Sequence, residues 1–134
     1  MKYLVDTNIL IYLMNSKSLR LQKKFTSCDI HDFYVSSITV AELIYGVKKS
    51  HYIEKNMNAV IKVLSPFTIV DYTSEDAFEY GDIRALLEKR GEVIGANDLL
   101  IASQARRRNL VVITGNVREY ERVEGLKVEN WVKD

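Results

Sequence analysis

Five short apolar runs, separated by segments of helical periodicity, restrict what this chain can fold into more than any other feature. KYLV at 2–5, FYVSS at 33–37, FTIVDY at 67–72, LVVIT at 110–114 and LKVENW at 126–131 carry strand-forming residues, and runs this short between turn signals read as buried strands. Helical patterns fill the gaps: one beginning after Asn8, a short basic one over 18–28, VAELIYGVKK at 40–49 and one over 52–64 stopped by Pro66. Thr39 is expected to cap the 40–49 helix, with Glu42 in the capping-box position three residues on. Ser74 is expected to cap 75–90, with Phe78, Ile83, Leu86 and Leu87 on its buried face, and Asn97 to cap DLLIASQARRR with Asp98 in the first turn. Strands alternating with helices require parallel crossovers, so the expected fold is a three-layer α/β/α sandwich around a mostly parallel five-stranded sheet. LVVIT reads as the central strand and LKVENW as an edge.

The chain has 134 residues and a formal net charge of +1, so no bulk electrostatic field draws it to nucleic acid, and an anionic partner needs a local patch. It reads as one domain over 1–134. Cys28 is the only cysteine, which excludes an intrachain disulfide and a thiolate zinc cluster. Asp6 interrupts the apolar N-terminal stretch, which argues against a signal peptide or membrane span and for a cytoplasmic protein without a membrane partner.

In an open α/β sheet, ligands bind beyond the carboxyl ends of the strands. Asp6 and Asn8 follow the first strand, Glu42 lies in the helix after the second, Asp98 opens a helix near the fourth strand, and Asn116 and Glu119 follow that strand. Four segments therefore bring acids or amides to one edge, where carboxylates repel unless a cation joins them. Hard oxygen donors suit Mg²⁺ or Mn²⁺, and His31 and His51 lie outside these segments. Each acid also has a purely structural reading: Asp6 as a turn residue, Glu42 as the capping-box glutamate, Asp98 as a complement to the helix dipole. Arg106, Arg107 and Arg108 read as a solvated helix end or as a phosphate contact for RNA. Trp131 reads as a packing anchor.

VDTNILIY at 5–12, ITVAELIYG at 38–46, IGANDLLIASQA at 94–105 and VITGNVREYERVEGL at 112–126 follow one another in the order found in PIN-domain ribonucleases. The sequence resembles, within that family, the virulence-associated protein C toxins of bacterial toxin–antitoxin pairs, over nearly its whole length. The resemblance implies that Asp6, Glu42 and Asp98 are the acidic metal ligands, with Thr7 or Asn8 supporting the first. Many relatives place an aspartate after the threonine of the fourth strand, where this chain has Thr114-Gly115-Asn116, so either Asn116 or Glu119 takes the fourth position. The family further implies a Mg²⁺- or Mn²⁺-dependent endoribonuclease in which water attacks a phosphodiester and leaves a 5′-phosphate end. Its members often cut structured RNA such as tRNA, are held inactive by a small cognate antitoxin, and form homodimers. The alternative from another class is a catalytically silent PIN-like module that binds RNA or protein. A dinucleotide-binding domain would need G-x-G-x-x-G after the first strand, where this chain has Asp-Thr-Asn.

Overall fold

The computed structural model describes residues 1–15 and 18–132. In chain order the elements are β1 (Tyr3–Val5), α1 (Thr7–Met14), α2 (Leu19–Thr26), a 3₁₀ turn (Ile30–Asp32), β2 (Phe33–Ser36), α3 (Ser37–Lys48), α4 (Ile53–Leu64), β3 (Thr68–Val70), α5 (Ser74–Arg90), α6 (Ala96–Arg108), β4 (Val111–Ile113), α7 (Val117–Tyr120) and β5 (Lys127–Glu129). The sheet has the order β3-β2-β1-β4-β5 and every pairing is parallel. The middle strand is therefore β1, not the LVVIT run. β4 lies one place outward and is buried along its whole length. A strand covered by helices on both faces reads as a continuous apolar run whether it is central or next to the centre, so hydrophobicity alone cannot rank the two. β5 is an edge, as expected.

Side chains alternate between the two faces of the sheet. Leu4 and Val112 point into a core built with Ile83, Leu87, Leu99 and Ala102 from α5 and α6. Val5 and Ile113 point into the opposite core with Ile9, Leu21, Leu43 and Val60 from α1 to α4. Trp131 closes that second core. It is 2% exposed and its ring lies 5.1 Å from Tyr3 and 5.2 Å from Phe25, which makes it a packing anchor.

Three helix starts differ from the sequence expectation. α3 is capped by Ser36, whose side chain accepts from the Ile38 amide at 3.0 Å, so Thr39 is already inside the helix and Glu42 takes no part in capping. α5 is capped by Thr73, and the reciprocal partner in its capping box is Asp76. α6 begins at Ala96 after Gly95, which puts Asn97 and Asp98 in the first turn. Phe78 is the one expected core residue of α5 found outside, at 80% exposure. At 100° per residue it lies about 160° around the helix from the centre of the buried stripe of Asp76, Ile83 and Leu87. Among the described residues no helix is long and apolar enough to cross a membrane.

The chain leaves β1 toward β2 and β3, then returns to the other side of β1 as β4 and β5. Helices following β1 and β4 consequently depart to opposite faces, and a crevice opens beyond the carboxyl ends of these two strands. All the acidic segments meet there.

Candidate active site

Asp6 follows β1 directly and caps α1. Its Oδ1 accepts from the Thr7 amide at 2.8 Å, and its Oδ2 accepts from Thr114 Oγ1 at 2.7 Å and from Asn8 Nδ2 at 3.4 Å. The Asp6 amide donates to the Ile113 carbonyl at 2.9 Å, so the end of β4 holds both the backbone and the carboxylate of the residue. It is 4% exposed. Burial raises its pKa above the ordinary carboxylate value, the donors from Thr114 and Thr7 oppose that shift, and the nearby charge of Glu42 adds to it.

Glu42 comes across from α3. Its Oε1 accepts from Thr7 Oγ1 at 2.7 Å, which fixes it beside the start of α1. With Ser36 as the cap, the structural role open to Glu42 from sequence is gone, and its carboxylate faces the crevice residue Thr7 instead.

Asp98 projects from the first turn of α6. Its Oδ1 accepts from the Tyr120 hydroxyl at 3.2 Å and its Oδ2 from Asn116 Nδ2 at 3.2 Å. Burial, a hydrogen bond with Glu119 and the charge of Asp6 together push its pKa up to about 7. Glu119 titrates with it and is held below the ordinary value, by its hydrogen bond to Asp98 first and by Asn116 second.

Asn116 lies beside Glu119, the other candidate for the fourth position. Its Nδ2 donates both to Asp98 Oδ2 and, at 2.6 Å, to Glu119 Oε2, so amide and acid act together on Asp98. Thr114 sets the turn: its Oγ1 accepts from the Asn116 amide at 2.9 Å while donating to Asp6. Asn8 Oδ1 accepts from the Gly115 amide at 3.2 Å and ties the first turn of α1 to the loop after β4. Substitution should follow this order. Asn116→Ala is expected to lower RNA cleavage about tenfold, the cost of roughly one hydrogen bond to a charged group, and Glu119→Gln less. A Glu119→Gln variant as inactive as one lacking Asp98, with lost cation affinity, would make Glu119 a full ligand.

Tyr120 is the site residue that sequence reading missed. It is wholly buried at the end of the single-turn α7, and burial between Asp6 and Asp98 holds its phenol far above the ordinary tyrosine range, as a permanent donor. One helical turn carries no periodicity, and only the apolar ring amid charged neighbours in VREYERV hinted at burial.

Arg106, Arg107 and Arg108 stand at the other end of α6, roughly 12–15 Å along the axis from Asp98 at 1.5 Å per residue. They are engaged with α5: Arg106 with Glu79 at 3.0 Å, Arg107 with Asp76 and with Glu75 at 3.1 Å, Arg108 with Asp76 at 3.5 Å. These guanidinium groups clamp two helices, where the sequence had left a phosphate contact open.

The three acids do not form a closed cage. Among the described residues no group of three or more His, Cys, Asp or Glu side chains is close enough to hold a metal ion by itself. The donor set nevertheless fits one: all its atoms are hard oxygens, and Asp6 feels the charge of Glu42 as Asp98 feels that of Asp6. Mg²⁺ characteristically binds through one or two carboxylates, waters and substrate phosphates rather than an all-protein cage.

A parallel sheet with an acidic crevice at its strand-order reversal defines a class, and the family model of the PIN domain matches residues 3–126. Ribonuclease VapC2 of Haemophilus influenzae is 45% identical over 132 residues, covering 98% of this chain and 99% of that protein. The tRNA(fMet)-specific endonuclease VapC of Shigella flexneri is 37% identical, with 98% of each chain covered. The solved structure of VapBC2 from Rickettsia felis, bound to a DNA fragment from its promoter, superposes with a TM-score of 0.92 at 37% identity, covering 98% of this chain and 99% of the matched one. This chain belongs to the PIN-domain family and, within it, to the VapC ribonucleases.

Proposed function

We propose that this chain is a Mg²⁺- or Mn²⁺-dependent endoribonuclease, the toxin of a toxin–antitoxin pair, which cuts structured RNA such as tRNA in the cytoplasm and so halts translation and growth. The observation that carries this reading is the delivery of Asp6, Glu42 and Asp98 to one crevice by three separate segments, the junction of β1 and α1, α3, and α6, in a chain whose relatives are ribonucleases. His31 and His51 lie outside the crevice, in the 3₁₀ turn and between α3 and α4.

Asp6, Glu42 and Asp98 would hold the cation, which when bound supplies Lewis acidity toward water and phosphate oxygens. The chain's own residues do the rest. Thr114 and the Thr7 amide oppose the upward shift that burial imposes on Asp6 and fix its two oxygens in place. Thr7 aims Glu42, and Tyr120 with Asn116 orients Asp98. Glu119 accepts from Asn116 beside Asp98 and is held below its ordinary pKa there.

The test is cleavage of purified RNA. Chelation should abolish it, Mg²⁺ or Mn²⁺ should restore it, and Ca²⁺, larger and less strict in geometry, should bind with little turnover. Products should carry 5′-phosphates. Full activity in excess EDTA would contradict the mechanism.

A small cognate antitoxin is the expected partner. An apolar groove of about 650 Å³ between α1, α2 and α4, lined by Leu13, Met14, Phe25, Val63 and Phe67, suits an amphipathic segment, and the carboxylates suit an inserted Arg or Lys. Co-expression with the product of the adjacent gene should suppress toxicity and give a stable complex. The toxin itself is expected to sediment as a homodimer.

A further inference from the structure

Between α1, α3 and α4 lies a second cleft, of about 210 Å³, that opens onto the active site because the hydrogen-bonded pair Thr7 and Glu42 forms one end of it. Ile11, Met14, Leu43 and Val60 make its walls apolar. Gly46, one turn beyond Glu42 on α3, leaves it open: a Cβ built there meets no heavy atom within 4 Å. Glycine is unfavourable inside a helix, and Gly46 has no positive φ that would require it. What it provides is space beside Glu42. Asn56 of α4 adds an amide to the lining. Its Nδ2 donates to Ser50 Oγ at 2.9 Å, which orients the group and leaves Oδ1 as an acceptor with no partner among the described residues.

We propose that this cleft receives one unstacked nucleobase of the RNA, from the nucleotide flanking the cleaved phosphate, and that Asn56 Oδ1 selects a base with an exocyclic amino group over uracil. The inference rests on the ribonuclease reading above. Sequence-specific recognition of RNA works on bases splayed out of loops, held by their faces and hydrogen-bonded at their edges. The cleft has the volume of a sphere about 7 Å across, which suits a single ring system and excludes a helix of about 10–12 Å diameter. Its apolar walls take the faces of the base. Adenine, cytosine and guanine present an exocyclic amino group to Oδ1, whereas uracil carries carbonyl oxygens at its exocyclic positions and offers only the recessed N3–H between them, so an amino base meets Oδ1 without setting an acceptor against it. Continuity with Glu42 places the bound base next to the reacting phosphate.

The experiment uses RNA hairpins that differ only in the base on either side of the cut. Wild-type protein should cleave substrates with an amino base at one flanking position roughly tenfold faster than the uracil version, about the worth of one hydrogen bond. Asn56→Ala should erase that preference. Gly46→Leu should lower kcat/KM at least tenfold and flatten the preference, with an unfolding temperature at or above that of wild type. Binding of the same hairpins to Asp98→Asn should rank the bases in the same order. Cleavage with the preference unchanged in both cleft variants would overturn the inference and leave the ribonuclease reading standing. RNA neither cleaved by wild type nor bound by Asp98→Asn would overturn both. A Gly46→Leu protein that keeps its base preference and loses only antitoxin binding would assign the cleft to the antitoxin and overturn the inference. If Gly46→Leu does not fold, Asn56→Ala decides alone.

Discussion

Asp98→Asn is expected to lower RNA cleavage by at least about 10³-fold, the equivalent of about 4 kcal/mol of lost transition-state stabilisation, while the fold stays intact. The substitution keeps the shape of the side chain. Its amide oxygen can still accept from the Tyr120 hydroxyl, and its new N–H groups can donate to the neighbouring Glu119. What disappears is the negative charge a cation needs. Because that charge lies near Asp6, stability without metal should be unchanged or slightly higher. Cleavage and thermal unfolding should be followed on one preparation. Activity within about tenfold of wild type, or a large loss of stability, would return Asp98 to the role of a residue complementing the dipole of α6.

The largest effect on stability is expected at the other end of that helix. Asp76 is fully buried, completes the capping box of α5, and meets both Arg107 and Arg108. Asp76→Ala leaves two arginines without their shared carboxylate and strips the Thr73 amide of its acceptor. The expected loss is about 3 kcal/mol, at the lower end for removing one partner of a buried pair because the arginines keep some solvent contact, or roughly 10 °C in Tm. Burial alone would raise the Asp76 pKa, but Arg107, the Thr73 amide and the charge of Arg108 outweigh it and hold the carboxyl below its ordinary value. A depressed carboxylate contributes stability above its unfolded pKa of about 3.9, lost as pH falls through the folded value. Wild type should therefore lose more stability than Asp76→Ala between about pH 5 and the acid limit. Parallel denaturation curves for the two proteins over that range would show the Asp76 network contributes little.

The strand–helix alternation made the layers legible before any coordinates, because short buried runs and amphipathic stripes report burial directly. Helix starts were less legible. Ser36, Ser37 and Thr39 all offer capping hydroxyls within four residues, and only the backbone geometry at Ser36 selects among them. Asp6, Glu42 and Asp98 were visible because each lies beside a strong strand or helix signal. The partnership of Asn116 with both Asp98 and Glu119, and the burial of Tyr120, depend on how a single turn after β4 folds back over α6. Local sequence does not encode that. The arginine triplet shows the converse: a dense basic run suggests an anionic ligand until the acids of α5 are found beside it.

Binding of Mn²⁺ tests the central claim most directly, because it reads the site without requiring the right RNA. Titrated by calorimetry, wild-type protein should bind the ion, and Asp6→Asn, Glu42→Gln and Asp98→Asn should each weaken binding about tenfold or more, with their unfolding temperatures maintained. Wild-type affinity in a protein carrying all three substitutions would contradict the account.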